Sequence, residues 1–310
     1  MRRLALLLAA ILPACGGSPG RITNEQRAPG AFVTERQSFL VGTPSGLTRV
    51  QLDGSGAQSL VPPSYGLLAM NADASVMVLG DKDTNLYVRD GSGQIRRVPQ
   101  LDGRVGSAAL SPDGARVAVV RHADFGQPQG VWSQSEDDAV WLVDVRTLAV
   151  EVLPKSRNEL VTRLAWERDG KGLLLGMFSS GTLRLDLATR ARTPLGKDLA
   201  EVAAPSGGSA TCAATGARLE LVGFRGDEGI DLKGPGAARR LVTVVGRKRG
   251  FHDYQATIRN PIFAASCRYA LFEFGAALWV VDAEKGVVGK VIEGYEARPL
   301  QPAPASAPAP

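Results

Sequence analysis

The chain is organised around Leu110-Ser111-Pro112-Asp113-Gly114-Ala115-Arg116-Val117-Ala118-Val119-Val120, a tight turn set between two apolar runs. Pro112 presets φ for the first central position, Asp113 can bond its own backbone, and Gly114 accepts positive φ. Residues 116–120 then read as a strand, so the segment is a hairpin. One hairpin cannot bury its own face. The turn returns in altered form at Asn71-Ala72-Asp73-Ala74, Glu167-Arg168-Asp169-Gly170, Ala213-Ala214-Thr215-Gly216 and Ala264-Ala265-Ser266-Cys267, with spacings of 40, 56, 46 and 51 residues between first positions.

Each turn is followed by a second hairpin, and six such hairpins run through the chain, about Asp53, Asp90, Asp144, Asp186, Lys233 and Asp282. Four strands in each period of about 40 residues make the blade of a β-propeller. The expected fold is therefore all-β, a propeller of six four-stranded blades over residues 31–298. The first blade lacks its own clear turn, so its remaining strands should come from residues 31–42 and from chain beyond Glu293. Ala69, Ala109 and Ala165 are small, as innermost strands require, while Met70, Leu110, Trp166, Cys212 and Phe263 should pack between blades. Trp141 and Trp279 occupy matching slots in blades three and six and read as core.

The Ser-Pro-Asp-Gly turn with Val140-Trp141-Leu142-Val143-Asp144 downstream resembles the propeller repeats of TolB and related periplasmic proteins. The resemblance covers residues 40–295, is clearest in blade three, and is weakest in blade five, where Lys233 replaces the acidic residue. It implies a WD-like repeat fold, residence in the cell envelope and protein binding. The additional N-terminal α/β domain of TolB has no room here, and fold does not fix function.

The ends of the chain carry the address. Residues 1–14 have Arg2 and Arg3 followed by an apolar run from Leu4 to Leu12, shorter than the ~20 residues that span a bilayer as a helix. They read as an export signal. Leu12-Pro13-Ala14-Cys15-Gly16 resembles a bacterial lipobox, which makes Cys15 the acylated residue and the membrane the first partner. By resemblance to that family, Gly16 rather than Asp after the cysteine implies the periplasmic side of the outer membrane if the cell is Gram-negative. Residues 15–30 are polar and read as a flexible tether, and residues 299–310 alternate Pro with Ala and Ser, which reads as a disordered tail. Without Arg2 and Arg3 the formal charge falls from +5 to +3, too mild for a nucleic-acid partner.

Two connections are much longer than a hairpin needs, 121–139 within blade three and 246–260 between blades five and six. In a propeller both rise from the end of the blades opposite the repeated turns. The first carries Arg121, His122, Phe125 and Trp132 with an acidic patch at Glu136, Asp137 and Asp138. The second carries Arg247, Lys248, Arg249, Phe251, His252 and Tyr254. Aromatic side chains and arginines among mixed charge suit a recognition surface for an envelope protein or glycan. The same aromatics would also serve to fold the loops down onto the rim.

No cofactor is implied. With only His122 and His252 a histidine-rich metal cage is excluded, although with Asp124 or Asp253 the two could make a three-ligand site or an acid-base pair, and no Gly-x-Ser-x-Gly elbow is present. Asp81-Lys82-Asp83-Thr84-Asn85 copies the start of a calcium loop but lacks its glycine and closing glutamate. Cys212 and Cys267 lie on one end of neighbouring blades, either as a disulfide or as a buried thiol and a glycine substitute. The resulting expectation is a lipid-anchored, non-catalytic binding module. The alternatives are a polysaccharide-active enzyme using His122 and His252, and a structural protein whose tail reaches the cell wall.

Overall fold

The computed structural model describes residues 20–83, 85–99, 104–122, 139–153, 161–177, 181–196, 210–223, 228–234, 238–245 and 258–301. Among the described residues six sheets of four strands each make up the fold, the blades of a six-bladed β-propeller, and there is no α-helix. The chain divides into two compact units, residues 1–36, 51–55 and 208–297, and residues 37–50, 56–207 and 298–310.

Within the second unit, sheet two runs β5 (Tyr65–Met70), β6 (Met77–Asp81), β7 (Leu86–Arg89) and β8 (Ile95–Arg97). Sheet three runs β9 (Arg104–Leu110), β10 (Arg116–His122), β11 (Ala139–Asp144) and β12 (Val150–Leu153). Sheet four runs β13 (Val161–Trp166), β14 (Gly172–Met177), β15 (Thr182–Asp186) and β16 (Arg192–Pro194). Strand β10 shows why the repeats are apolar without alternation. Val117 and Val119 pack with Val78 and Val88 of sheet two, while Ala118 and Val120 pack with Leu164, Leu173 and Leu175 of sheet four. A strand covered on both faces needs an apolar residue at every position.

Four of the five turns close with one hydrogen bond, from the fourth residue back to the first, whereas in sheet five the Gly216 N–H reaches one residue further, to Cys212 O. Gly114 N–H donates to Ser111 O at 2.8 Å, and Asp113 Oδ1 accepts the Ala115 N–H at 3.0 Å and the Ser111 hydroxyl. The fourth turn position has positive φ in all five copies, 58° at Ala74, 71° at Gly114, 69° at Gly170, 70° at Gly216 and 60° at Cys267. Three copies satisfy that demand with glycine, and two hold a side chain in the left-handed region.

Sheet one confirms that the chain beyond Glu293 contributes. Its order is β24 (Tyr295–Pro299), β2 (Ser38–Thr43), β3 (Gly46–Gln51) and β4 (Gln58–Val61), so its first strand is the last of the chain. Residues 299–301 belong to this arrangement rather than to the tail. Leu300 is buried beside Leu40 and Met77, its N–H donates to Ser38 O, and Gln301 N–H donates to Ala72 O. The rest of the expected tail, 302–310, lies outside the described residues.

The first unit holds sheets five and six. Sheet six runs β20 (Arg259–Phe263), β21 (Tyr269–Phe274), β22 (Ala277–Asp282) and β23 (Val288–Glu293). Sheet five departs from the sequence reading. Its order is β17 (Arg218–Val222), β18 (Glu228–Lys233), β19 (Arg239–Val245) and β1 (Arg21–Ile22), so one edge strand comes from the start of the chain. The innermost strand expected to end at Cys212 is represented, among the described residues, by one bridge between Thr211 and Arg218. Cys212 is disulfide-bonded to Cys267 with Cα atoms 5.7 Å apart, joining the first turn of sheet five to that of sheet six.

Residues 20–35 form a strap, in the stretch whose polarity suggested a tether reaching to residue 30. Arg21 stands opposite Val245 and Ile22 opposite Val244. The Asn24 amide donates to Leu241 O at 2.7 Å and to Gly286 O at 2.9 Å, and its oxygen accepts the Thr243 N–H at 2.9 Å. Val288 N–H donates to Glu25 O, and Arg27 N–H donates to Val288 O. A Cβ on Gly289 would stand 2.6 Å from Arg27 O, so only glycine admits the strap at that point. Beyond it, buried Tyr269 donates its hydroxyl to Phe32 O at 3.0 Å, and Glu35 accepts the Ser266 N–H at 3.1 Å. Composition concealed this strap because its bonds run through backbone groups and a few polar side chains, Asn24, Glu35 and Tyr269 among them, which leave no hydrophobic pattern.

Candidate recognition surface

The two ends of each sheet differ in chemistry. The turn ends are self-satisfied. Asp53, Asp90, Asp144, Asp186 and Asp282 each accept backbone N–H groups from two or three residues further along their own turn. The Ser55 and Ser92 hydroxyls hold Asp53 and Asp90 below the usual aspartate range, and the Thr147 and Thr189 backbone N–H groups do the same for Asp144 and Asp186. Each carboxylate is bonded within its own turn, and Arg96, Arg184 and Arg268 stand 3.5, 3.6 and 3.4 Å from Asp90, Asp186 and Asp282. Asp81, the first residue of the calcium-like stretch, accepts from the Asn85 backbone and side chain and from the Tyr87 hydroxyl at 2.9 Å each. Among the described residues no three His, Cys, Asp or Glu side chains converge as metal ligands do.

The opposite ends carry the long connections. Strand β10 continues through His122 and β11 starts at Ala139, so the first connection is 123–138, shorter at both ends than the sequence suggested. A register shift between Val120 and Arg121 lets β10 bulge where the connection begins. The Arg121 guanidinium lies 5.2 Å from the centroid of the Trp141 ring, a cation–π contact that lays the side chain along the blade. Arg121 Nε and Trp141 Nε1 are buried and make no hydrogen bond. His122 stands opposite Arg104 in the ladder. Of the binding-face candidates, the side chain of Arg121 and the backbone of His122 are described. Phe125, Trp132, Arg247, Lys248, Arg249, Phe251, His252 and Tyr254 lie outside the described residues.

The second connection leaves β19 at Val245, and the chain is described again from Ile258, which is buried, before β20. Its root is held by Glu273, a residue with no prominence in the sequence reading. Glu273 is 3 % exposed. It accepts the Asn260 amide at 3.0 Å and the Glu296 N–H at 2.7 Å, and it pairs with Arg259 at 3.5 Å. Asn260 and Glu296 both have positive φ, 49° and 58°. One buried carboxylate thus fixes the start of β20 and the start of β24. The available signal was a lone glutamate inside Tyr269-Ala270-Leu271-Phe272-Glu273-Phe274, where an unpaired charge would be costly.

No protein-family model matches the chain, and no curated protein matches it. Solved structures with a similar course of chain include TolB from Acinetobacter baumannii, 14% identical, with a TM-score of 0.43 over 86% of this chain and 66% of that one. The oligogalacturonate lyase of Vibrio parahaemolyticus is 11% identical, with a TM-score of 0.38 over 80% of this chain and 71% of the enzyme. A putative TolB from Agrobacterium tumefaciens is 12% identical, with a TM-score of 0.36 over 85% and 91%. The chain therefore spans slightly less than two thirds of the Acinetobacter TolB chain.

Proposed function

We propose that this chain is a lipid-anchored envelope protein whose propeller serves as a protein-binding scaffold and carries out no chemistry. The observation that carries this reading is the contrast between the two ends of the blades. One end spends its carboxylates on closing turns. The other bears the insertions, with aromatic and charged residues at 123–138 and 246–257 in the sequence. Long connections on a rigid scaffold are where recognition residues concentrate. Export and acylation at Cys15 would place the scaffold at the envelope membrane, where partner proteins are within reach.

The test is affinity capture from envelope extract with the full chain, beside two versions shortened separately, one within 123–138 and one within 246–257. A protein retained by the parent and lost with the shortened first connection supports the reading. Equal capture by all three, or turnover of a glycan that stops when His122 or His252 is changed, overturns it.

A further inference from the structure

We infer that Glu273 is a two-position latch through which the start of β20, where the second long connection ends, and the start of β24 control one another. The groups that make it, Arg259, Asn260, Glu273 and Glu296, all lie in the first unit.

The present position holds two residues away from their preferred backbone. Asn260 has φ of 49° and Glu296 of 58°. Asparagine enters that region readily, whereas a glutamate there needs something to keep it. Apolar packing does not, since Tyr295 is 50% exposed and Glu296 is exposed beside it. The Glu296 N–H donates to Glu273 Oε1 at 2.7 Å, and the same oxygen accepts the Asn260 amide at 3.0 Å. A carboxylate oxygen has lone pairs for both, so each bond fixes the side chain for the other. The ladder is weak at the same place in β20, where the register shifts between Arg259 and Ile262 and Pro261 has no N–H to give.

The carboxylate has a second place to go. Arg259 Nη2 stands 3.5 Å from Glu273 Oε2, longer than an ordinary hydrogen bond, and Arg259 Nε is buried with no hydrogen-bond partner. Turning the carboxylate onto the guanidinium would close a charge-assisted pair, satisfy Nε, and release Asn260 and Glu296 in one step. Two hydrogen bonds with two strained residues thus compete against one close ion pair with both residues relaxed. A pull on the second connection, whatever it binds, acts first on Asn260 and tips the carboxylate toward Arg259. The start of β24 then loses its bond, while Leu300 still packs at the far end of that strand. Reciprocity requires that easing Glu296 into its present backbone steady Asn260 in turn.

Amide exchange in the full chain tests the latch. Asn260→Gly accepts the positive φ without cost but takes one donor from the carboxylate. It should quicken exchange at Glu296 several-fold, the usual size of coupling between groups that share a partner. In a Glu273→Gln background, where Arg259 no longer draws a charge away, the same change should do little at Glu296. Glu296→Gly keeps the N–H and removes the strain, so it should slow exchange at Arg259 and Ile262, although a glycine ordinarily loosens its surroundings. Exchange at Val280 and Val281, in the middle of β22, should be the same in every variant and certifies the fold.

Unchanged exchange at Glu296 in Asn260→Gly, or an equal gain in the Glu273→Gln background, would overturn the inference. So would Glu296→Gly if exchange at Arg259 and Ile262 failed to slow, because a carboxylate that merely props two separate strands would carry nothing from one to the other.

Discussion

Asp53, Asp90, Asp113, Asp144 and Asp186 hold donors of their own turns, and each carboxyl lies below the ordinary aspartate range because those donors favour the ionised form. In the unfolded chain the same groups take up protons first as the pH falls. Their stabilisation is therefore complete above the ordinary aspartate pKa, about 4, and is lost as the pH drops through the lowered folded values. The thermal midpoint should stay level from neutrality to about pH 5 and then fall; Asp113→Asn with Asp144→Asn should start lower and show a shallower acid slope. Glu273 acts through geometry instead. Glu273→Ala takes the shared acceptor from the Asn260 amide and the Glu296 N–H and the partner from Arg259, and should cost about 1–3 kcal/mol, read as a shift in the urea midpoint. Glu273→Gln keeps an acceptor and should recover much of that loss.

At the scale of elements, the hairpins were legible in the sequence and the strands at the two chain ends were less so. The Ser111–Gly114 turn sets local φ values and flanks apolar runs, so β10 and its copies follow from neighbouring residues alone. Chain beyond Glu293 was expected in sheet one because that sheet lacked a strand. Nothing comparable pointed to β1, whose two residues are held by partners more than 200 positions away. Asn24 is the fastener of that strap. Asn24→Ala removes three hydrogen bonds while leaving the β1 backbone pairing intact. Amide exchange should accelerate at residues 22–27, and trypsin should cut after Arg21 and Arg27 faster than in the parent, with little change at sheet three. Equal cleavage in both proteins would show that the backbone pairs hold the strap unaided. The candidate surface was less legible for a different reason. Spacing locates an insertion, but the residues that fix its root, Arg121 over Trp141 and Glu273 beneath Asn260, are chosen by packing across strands.

For the whole molecule, sheet one draws its first strand from the last part of the chain. Removing residues 295–310 exposes the edge of β2 and uncovers Leu40 and Met77 where Leu300 packs. That truncation should abolish cooperative unfolding, whereas removing residues 302–310 should leave the thermal midpoint within a degree or two; equal behaviour of the two truncations would refute the role given to β24. The order of arrival matters as well. A chain made amino-terminus first delivers β1 early, yet its partner β19 follows more than 200 residues later, and β2 waits longer still for β24. Neither sheet can finish on the schedule of synthesis. Until the carboxyl-terminal strand is made, the growing polypeptide presents unpaired strand edges, and chaperones have that whole interval in which to act.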